Sequence, residues 1–471
     1  MKRLISLTLA ACIVSNITFT MPVFAAKNKE LQNSESQQTK IIKAKTEKNV
    51  KIQQAKNKVD YINIDWWKNF NDPILETYIY KAIEKNHDAK SATIAVNEYY
   101  QATRMQFGQE LPQINGGFGP SYSKFPGSSQ EDWGFGLPLI ASYEVDLFLK
   151  NRDKTKSVKK RWEASIIDER AAYISIVSAV GSTYLNIVKL DKMIENQEKI
   201  VEHRSTIYDL MLLRHREGIT STSDTVKANK LLVAGTTNLI ELKKTRKQLL
   251  HQLATLIGES AENSDELVRT PFDEISFSKA IPTEISSEVI VQRPDYLKAE
   301  KMLEKAGIDV RIARKELLPS INIAGLALFN ANDIGSLFTT SNMLWGLGAG
   351  IGGTIFSGGS KIANLKMKKH EYERIFNNYQ KTNLVAIQEI NDSLVSIKLD
   401  QEKLEQNIKQ INLEKEDYSY NEQKYNEGII SKLDLLQLEE NVLTIENLVA
   451  SNKIDCMIDY IGLYKATGSN I

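Results

Sequence analysis

At 471 residues the chain is long enough for two or three ordinary domains, and 25% charged with 42% hydrophobic residues is a conventional balance. A formal net charge of +1 lacks the basic excess of a nucleic-acid binder. Five histidines leave little material for a metal site, and with Cys12 in the leader and Cys456 in a late helical stretch no disulfide forms within one mature chain.

Residues 1–26 read as an export signal. Lys2 and Arg3 give the positive start, Leu4 to Ile17 the apolar stretch, and Val23-Phe24-Ala25 a small-residue cleavage site before Ala26. Leu9-Ala10-Ala11-Cys12 admits a second reading, a lipoprotein box that would leave Cys12 acylated. The apolar residues continue past Cys12 to Phe24, which favours cleavage near Ala25 or Ala26. Residues 27–61 are polar, lysine-rich and poor in aromatics, as expected of a disordered, solvated arm. No later run of 18 uncharged apolar residues offers a helical membrane span.

Beyond the arm the chain is duplicated. Residues 86–115 align with 293–322 at an offset of 207: Asp88 meets Asp295, Ala92 meets Ala299, Arg104 meets Arg311, and Leu111-Pro112 meets Leu318-Pro319. At an offset of 210, Glu217-Gly218-Ile219-Thr220-Ser221 meets Glu427-Gly428-Ile429-Ile430-Ser431, Asp224 meets Asp434, and Gly258 meets Gly468. The organisation expected is a first repeat over 62–260, a connecting segment over 261–288 and a second repeat over 289–468. A unit of this size is too long for a solenoid repeat and points to pseudo-symmetric packing.

Each repeat has one order: helix, Leu-Pro, two alternating segments, long helix, glycine turn, long helix. Strands are expected at about 113–125, 132–148, 320–331 and 343–356. In the second, Trp133, Phe135, Leu137, Leu139, Ala141, Tyr143, Val145 and Leu147 alternate with small or polar residues such as Ser142, Glu144 and Asp146. In the fourth, Trp345, Leu347, Ala349 and Ile351 alternate with Gly346, Gly348, Gly350 and Gly352. Period two with aromatic rims suits a membrane strand, lipid on one side and lumen on the other. Four strands cannot close a barrel, so the chain must lend them to an oligomer.

No proline falls between Leu139 and Thr270 or after Pro319, so long helices are permitted there. Ile387, Ile390, Leu394, Ile397, Leu404, Ile408, Ile411 and Tyr418 recur at steps of three and four, interrupted by Gln401 and Lys415, which is a coiled-coil stripe. A helix from about Lys361 to Asn426 would run roughly 100 Å. The tips of the two hairpins are expected near 218 and 428, with a glycine at each turn. Asp224 and Asp434 follow the turns at a distance where an acid favours a helix N-terminus.

Enzymatic signatures are missing. There is no phosphate loop, zinc-ligand spacing or nucleophile elbow; Gly348–Gly353 lacks the Lys-Ser/Thr ending and sits in the strand alternation. His203, His215 and His251 are too widely spaced to share a metal. No cofactor or metal is expected.

Several separated motifs resemble the TolC-like outer-membrane factors, nearest the branch that serves resistance-nodulation-division pumps. They are Trp66-Trp67-Lys68-Asn69-Phe70-Asn71-Asp72-Pro73-Ile74-Leu75, Ala82 to Asp88, Arg293-Pro294-Asp295 with Ala299-Glu300, and both Leu-Pro junctions. The resemblance implies a mainly α protein with a membrane β part, trimerising into a 12-stranded barrel on an α-helical tunnel. It implies the outer membrane of a Gram-negative bacterium, a periplasmic adaptor, an inner-membrane pump and a passive exit duct for small compounds. A one-step protein secretion duct and a non-transporting coiled-coil scaffold are the alternatives. The family's adaptor-docking tips match Gly218, Ile219, Thr220 and Ser221, and Gly428, Ile429, Ile430 and Ser431. Its acidic periplasmic gate matches Asp434, with Asp224 as the equivalent in the first repeat and Gln437 where a second acid stands in some members.

Overall fold

The computed structural model describes residues 65–124, 131–277, 285, 287–354 and 356–468. They fall within the unit that spans residues 58–471. The expected signal peptide at 1–26 and polar arm at 27–61 lie outside the described residues.

A short 3-10 turn at Trp66–Phe70 leads into α1 (Pro73–Lys85) and α2 (His87–Gly108). Strands β1 (Gln113–Gly116), β2 (Gly119–Lys124) and β3 (Glu131–Val145) precede the long helix α3 (Lys150–Arg216) and its return helix α4 (Thr222–Leu256). The order then recurs as α5 (Pro294–Lys315), β4 (Ser320–Ala331), β5 (Met343–Gly352), α6 (Ser360–Asn426) and α7 (Lys432–Thr467). Offsets are 207 from α2 to α5 and 210 from α3 to α6, so the duplication extends to where helices begin and end.

The strands form one antiparallel sheet ordered β1/β2, β3, β4, β5. β1 and β2 share a single register on β3, with Gln113 opposite Ser142 and Gly119 opposite Gly136. The break between them faces Pro138, which has no N–H to complete the ladder, although its carbonyl still accepts from Gly117 N at 3.2 Å. Two strands stop earlier than expected. β3 ends at Val145 rather than 148 because the Asp146 carboxylate turns to cap α3, accepting from Asn151 N at 3.1 Å and Arg152 N at 2.9 Å. β5 ends at Gly352 rather than 356. Its partner Ser320 is preceded by Pro319, and the ladder has no donor to continue.

At 67 residues each, α3 and α6 are about 100 Å long. α3 holds the only stretch among the described residues apolar enough to cross a membrane. Tyr173, Val177, Val180, Tyr184 and Leu185 from that stretch are instead buried in the core, against α1, α4, α7 and the Trp66–Phe70 turn. A Cβ at Gly181 would collide with the Trp66 ring, so glycine gives the indole its seat.

The opening motif has a local purpose. Asn71 takes a left-handed conformation (φ 50°) and Pro73 starts α1. The buried Asp72 carboxylate caps that helix through Ile74 N (2.9 Å) and Leu75 N (3.1 Å), and accepts from Tyr184 Oη (2.7 Å) and Thr270 Oγ1 (2.9 Å). The second motif works similarly. Arg293, itself buried, donates from Nε and Nη2 to Asp295 (3.0 and 2.7 Å) and from Nη2 to Glu389 (2.6 Å), and bonds the Ala466 carbonyl, joining α5, α6 and the end of α7.

Candidate functional site

Register assigns every strand residue to a face. Phe135, Leu137, Leu139, Ala141, Tyr143 and Val145 share a face with Ile321, Ile323, Gly325, Ala327, Phe329 and Ala331. On β5 that face continues with Met343, Trp345, Leu347, Ala349 and Ile351, and on β2 with Tyr122 opposite Trp133. These residues carry no charge and expose large apolar groups: Trp345 71%, Leu347 75%, Ile351 77%. The opposite face presents Gln113, Asn115, Ser142, Glu144, Asn322 and the glycines of β5, and Lys150 pairs with Glu144 at 2.6 Å. That face also carries Ile140, Leu326 and Leu344, but its charge, amides and glycines set it apart from the apolar band, and this contrast is the alternation of a lipid-embedded barrel wall. Among the described residues, β1/β2 and β5 each have one unpaired long side.

The helices are left open in the same way. α3 buries 23 residues and α6, of the same length, only Ala386, Ile390, Ile397, Asn407 and Ile411. Those five answer residues 176, 180, 187, 197 and 201 of α3, the side that meets the return helix. The other side differs. Ile174, Val177 and Leu185 are at most 4% exposed, whereas their counterparts Leu384, Ile387 and Val395 are 68%, 39% and 57% exposed. The coiled-coil stripe is therefore divided, with Ile390, Ile397 and Ile411 buried while Ile387 and Ile408 face outward.

The complement sits on α4. Val226, Val233 and Ile240 are spaced by seven and 48–62% exposed, yet their counterparts Leu436, Leu443 and Ala450 on α7 are buried at 2–6%. Inside the chain α3 packs on α7. Among the described residues the equivalent seam, α6 on α4, is unfilled, and its two halves lie on separate faces of one chain.

Both hairpin tips close through one geometry. Gly218 (φ 72°) and Gly428 (φ 77°) occupy the left-handed position after the helix. Ile219 N donates to Arg214 O and Ile429 N to Lys424 O, each at 2.8 Å, while the two glycine N–H groups bond one residue in. The apolar side chains that follow are left in solvent, Ile219 at 72% and Ile429 at 66%. Ser221 and Ser431 then cap the return helices, accepting from Asp224 N (3.2 Å) and Asp434 N (3.3 Å). Thr220 and Ile430 are half-buried between turn and cap.

Asp434 completes a reciprocal capping box, its Oδ2 accepting from Ser431 N at 3.0 Å and Ser431 Oγ at 2.6 Å. The Ser431 hydroxyl and N–H hold its carboxyl below the usual carboxylate range. Asp224 accepts from Ser221 Oγ at 2.7 Å and pairs with Lys227 at 3.2 Å, which lower it likewise. Gln437 is exposed one turn further on. Leu436 and Leu433 of the second hairpin pack on Ile207, Tyr208 and Met211 of the first, so the two tips lie side by side.

Sequence reasoning missed how α7 binds α3 just behind the tips. Glu440 bonds Arg204, which also donates to Leu231 O at 2.9 Å, and Glu439 Oε2 is 3.6 Å from His203 Nε2. These acids are engaged within the protein. Arg204 and Glu440 are 236 positions apart, and only the hairpin packing shows that they meet.

The sequence model of the family described as "Outer membrane efflux protein" matches residues 78–259 and 285–469. Over 410 residues the chain is 23% identical to the probable efflux pump outer membrane protein TtgC of Pseudomonas putida, covering 86% of this chain and 84% of that one. It is 25% identical over 430 residues to the cation efflux system protein CusC of Escherichia coli O157:H7, covering 87% and 89%. The crystal structure of the CmeC outer membrane channel of Campylobacter jejuni superposes with a TM-score of 0.77 at 25% identity, covering 86% and 87%.

Proposed function

The chain belongs to the outer membrane efflux protein family, and from that premise we propose that it is the exit duct of a tripartite efflux system. Three copies close a 12-stranded barrel in the outer membrane and continue it as an α-helical tunnel into the periplasm. Small compounds pass through it passively after delivery by an inner-membrane pump and a periplasmic adaptor. TtgC is described as an efflux pump component and CusC as part of a cation efflux system, and this chain is read as serving a pump of that kind.

The observation that carries this reading is the unfilled seam between α6 and α4. A chain that offers Leu384, Ile387 and Val395 on one side and Val226, Val233 and Ile240 on another joins its copies head to tail, and a head-to-tail contact that closes makes a ring. The unpaired β1/β2 and β5 edges support the same closure, since an open edge in lipid leaves backbone groups without partners. A non-transporting scaffold has no use for the apolar sheet face.

The tips belong to the same reading. Gly218–Ser221 and Gly428–Ser431 supply the adaptor-docking turns, with Ile219 and Ile429 as exposed apolar contacts. Asp434 contributes one carboxylate per copy at the periplasmic mouth, and Asp224 a second, more peripheral one. Deleting the gene should sensitise the host to the pump's substrates. The wild-type chain should restore resistance, and an Ile219→Asp, Ile429→Asp double variant should not, while still reaching the outer membrane. Full restoration by that variant would remove the docking assignment.

A further inference from the structure

The loop between β4 and β5 stands at the end of the sheet away from the helices, and it carries exposed apolar side chains. Phe338 is 69% and Ile334 57% exposed, whereas Leu337 between them is buried at 1%. The Phe338 ring lies 5.7 Å from that of Phe329. Phe329 is opposite Leu137 on one side and Met343 on the other, so it belongs to the apolar face. The loop therefore folds over the outside of the wall and away from the lumen.

Several of its polar groups bond one another within the loop. Asp333 accepts from Ser336 N (2.9 Å) and Ser336 Oγ (2.6 Å), and Ser336 O accepts from Thr339 Oγ1 (2.8 Å) and Asn342 Nδ2 (2.9 Å). These internal bonds lower the cost of bringing the loop close to lipid. The apolar groups it presents continue the apolar face at the level where Trp133 and Trp345 are also exposed, as aromatic side chains are at a membrane boundary.

We propose that the β4–β5 loop is a lipid-contacting foot, with Phe338 and Ile334 inserted into the outer leaflet at the boundary between headgroups and acyl chains. The occupant is lipid because the surface is continuous with the face that the barrel reading places in the bilayer, and the inference rests on that reading. Asp333 keeps one end of the loop at the headgroups, so insertion stops at the boundary.

The test is nitroxide accessibility in proteoliposomes of the full-length protein, using Phe338→Cys and, as a second probe, Ile334→Cys, both with Cys456→Ser. Leu347→Cys on the apolar face and Gly348→Cys on the opposite face serve as references. Labels at 338 and 334 should collide with oxygen in preference to a nickel chelate, as the label at 347 does. Nickel preference at both would place the loop in water and overturn the proposal. Suppression of both relaxants would mean a protein cover, such as a neighbouring copy, and would overturn it equally. A nickel preference at 347 itself would strike the barrel reading instead, so the two failures are distinguishable.

Discussion

The carboxyl groups of Asp400 on α6 and Asp459 on α7 stand beside each other across the second hairpin, at the positions that Leu190 and Leu249 hold in the first. Leu190 is buried and Leu249 packs against the core, so one repeat carries two leucines where the other places two acids. Burial, with the charges of Asp400 and Asp455, pushes the Asp459 carboxyl up to about 7. Asp455 is itself paired with Lys189 of α3 at 3.0 Å, and the neighbouring Cys456 thiol is pushed up to about 11, mainly by burial.

This pair predicts a pH dependence. The folded state holds a proton that the unfolded chain releases near 3.8. The stabilisation is complete below that value and is lost as pH rises through about 7. Thermal melting in detergent should fall by roughly 1–3 °C between pH 5 and pH 8, the scale of a partly screened interaction. An Asp400→Leu, Asp459→Leu variant, which copies the first repeat, should melt higher at pH 8 and flatten the profile. A wild-type profile with no slope in that window would refute the coupling.

A charge in the unfilled seam should separate the copies. Ile387→Asp places an acid where the counterpart Val177 is fully buried. Burying an apolar side chain of that size is worth about 1.5–3 kcal/mol, and an unpaired acid in its place costs more. Light scattering in detergent should show smaller species with the helical content retained. An assembly of unchanged mass would mean that α6 does not lie at the seam.

The tip offers two variants with separable effects. Ser431→Ala removes the cap and should cost about 1 kcal/mol of local helix stability, while keeping the Asp434 charge. Asp434→Ala removes the charge as well. If three Asp434 carboxylates ring the mouth, trivalent-cation block of single channels should weaken in Asp434→Ala and persist in Ser431→Ala. Equal block in both variants would reduce Asp434 to a helix-capping acid.

On the face opposite the apolar band, an added Cβ at Gly348 meets nothing within 4 Å. Gly348→Phe should therefore leave folding intact and lower single-channel conductance by narrowing the lumen. Unchanged conductance would mean that this face does not line the pathway.

Much of the architecture was legible because duplication and period-two alternation are properties of local spacing. Leu-Pro recurring at 112 and 319, and glycine at 218 and 428, mark the same bends twice. What escaped depends on partners far along the chain or on single backbone groups. The missing N–H of Pro138 divides the first strand, and Asp146 leaves the strand alternation to cap α3. Asp434 was readable as a helix-end acid, but its reciprocal bond with Ser431 required the turn geometry. The coiled-coil stripe gave no sign that Ile390 and Ile387 face different neighbours, because both satisfy one heptad pattern. Nor could spacing show that Glu440 is matched by Arg204.

The central claim is that one chain supplies a third of a closed channel, and native mass spectrometry combined with planar-bilayer recording of the same detergent-solubilised sample tests it most directly. The account predicts that the conducting species has the mass of three chains, and that Ile387→Asp abolishes the trimer and the conductance together. A stable monomer that conducts in the bilayer would contradict it.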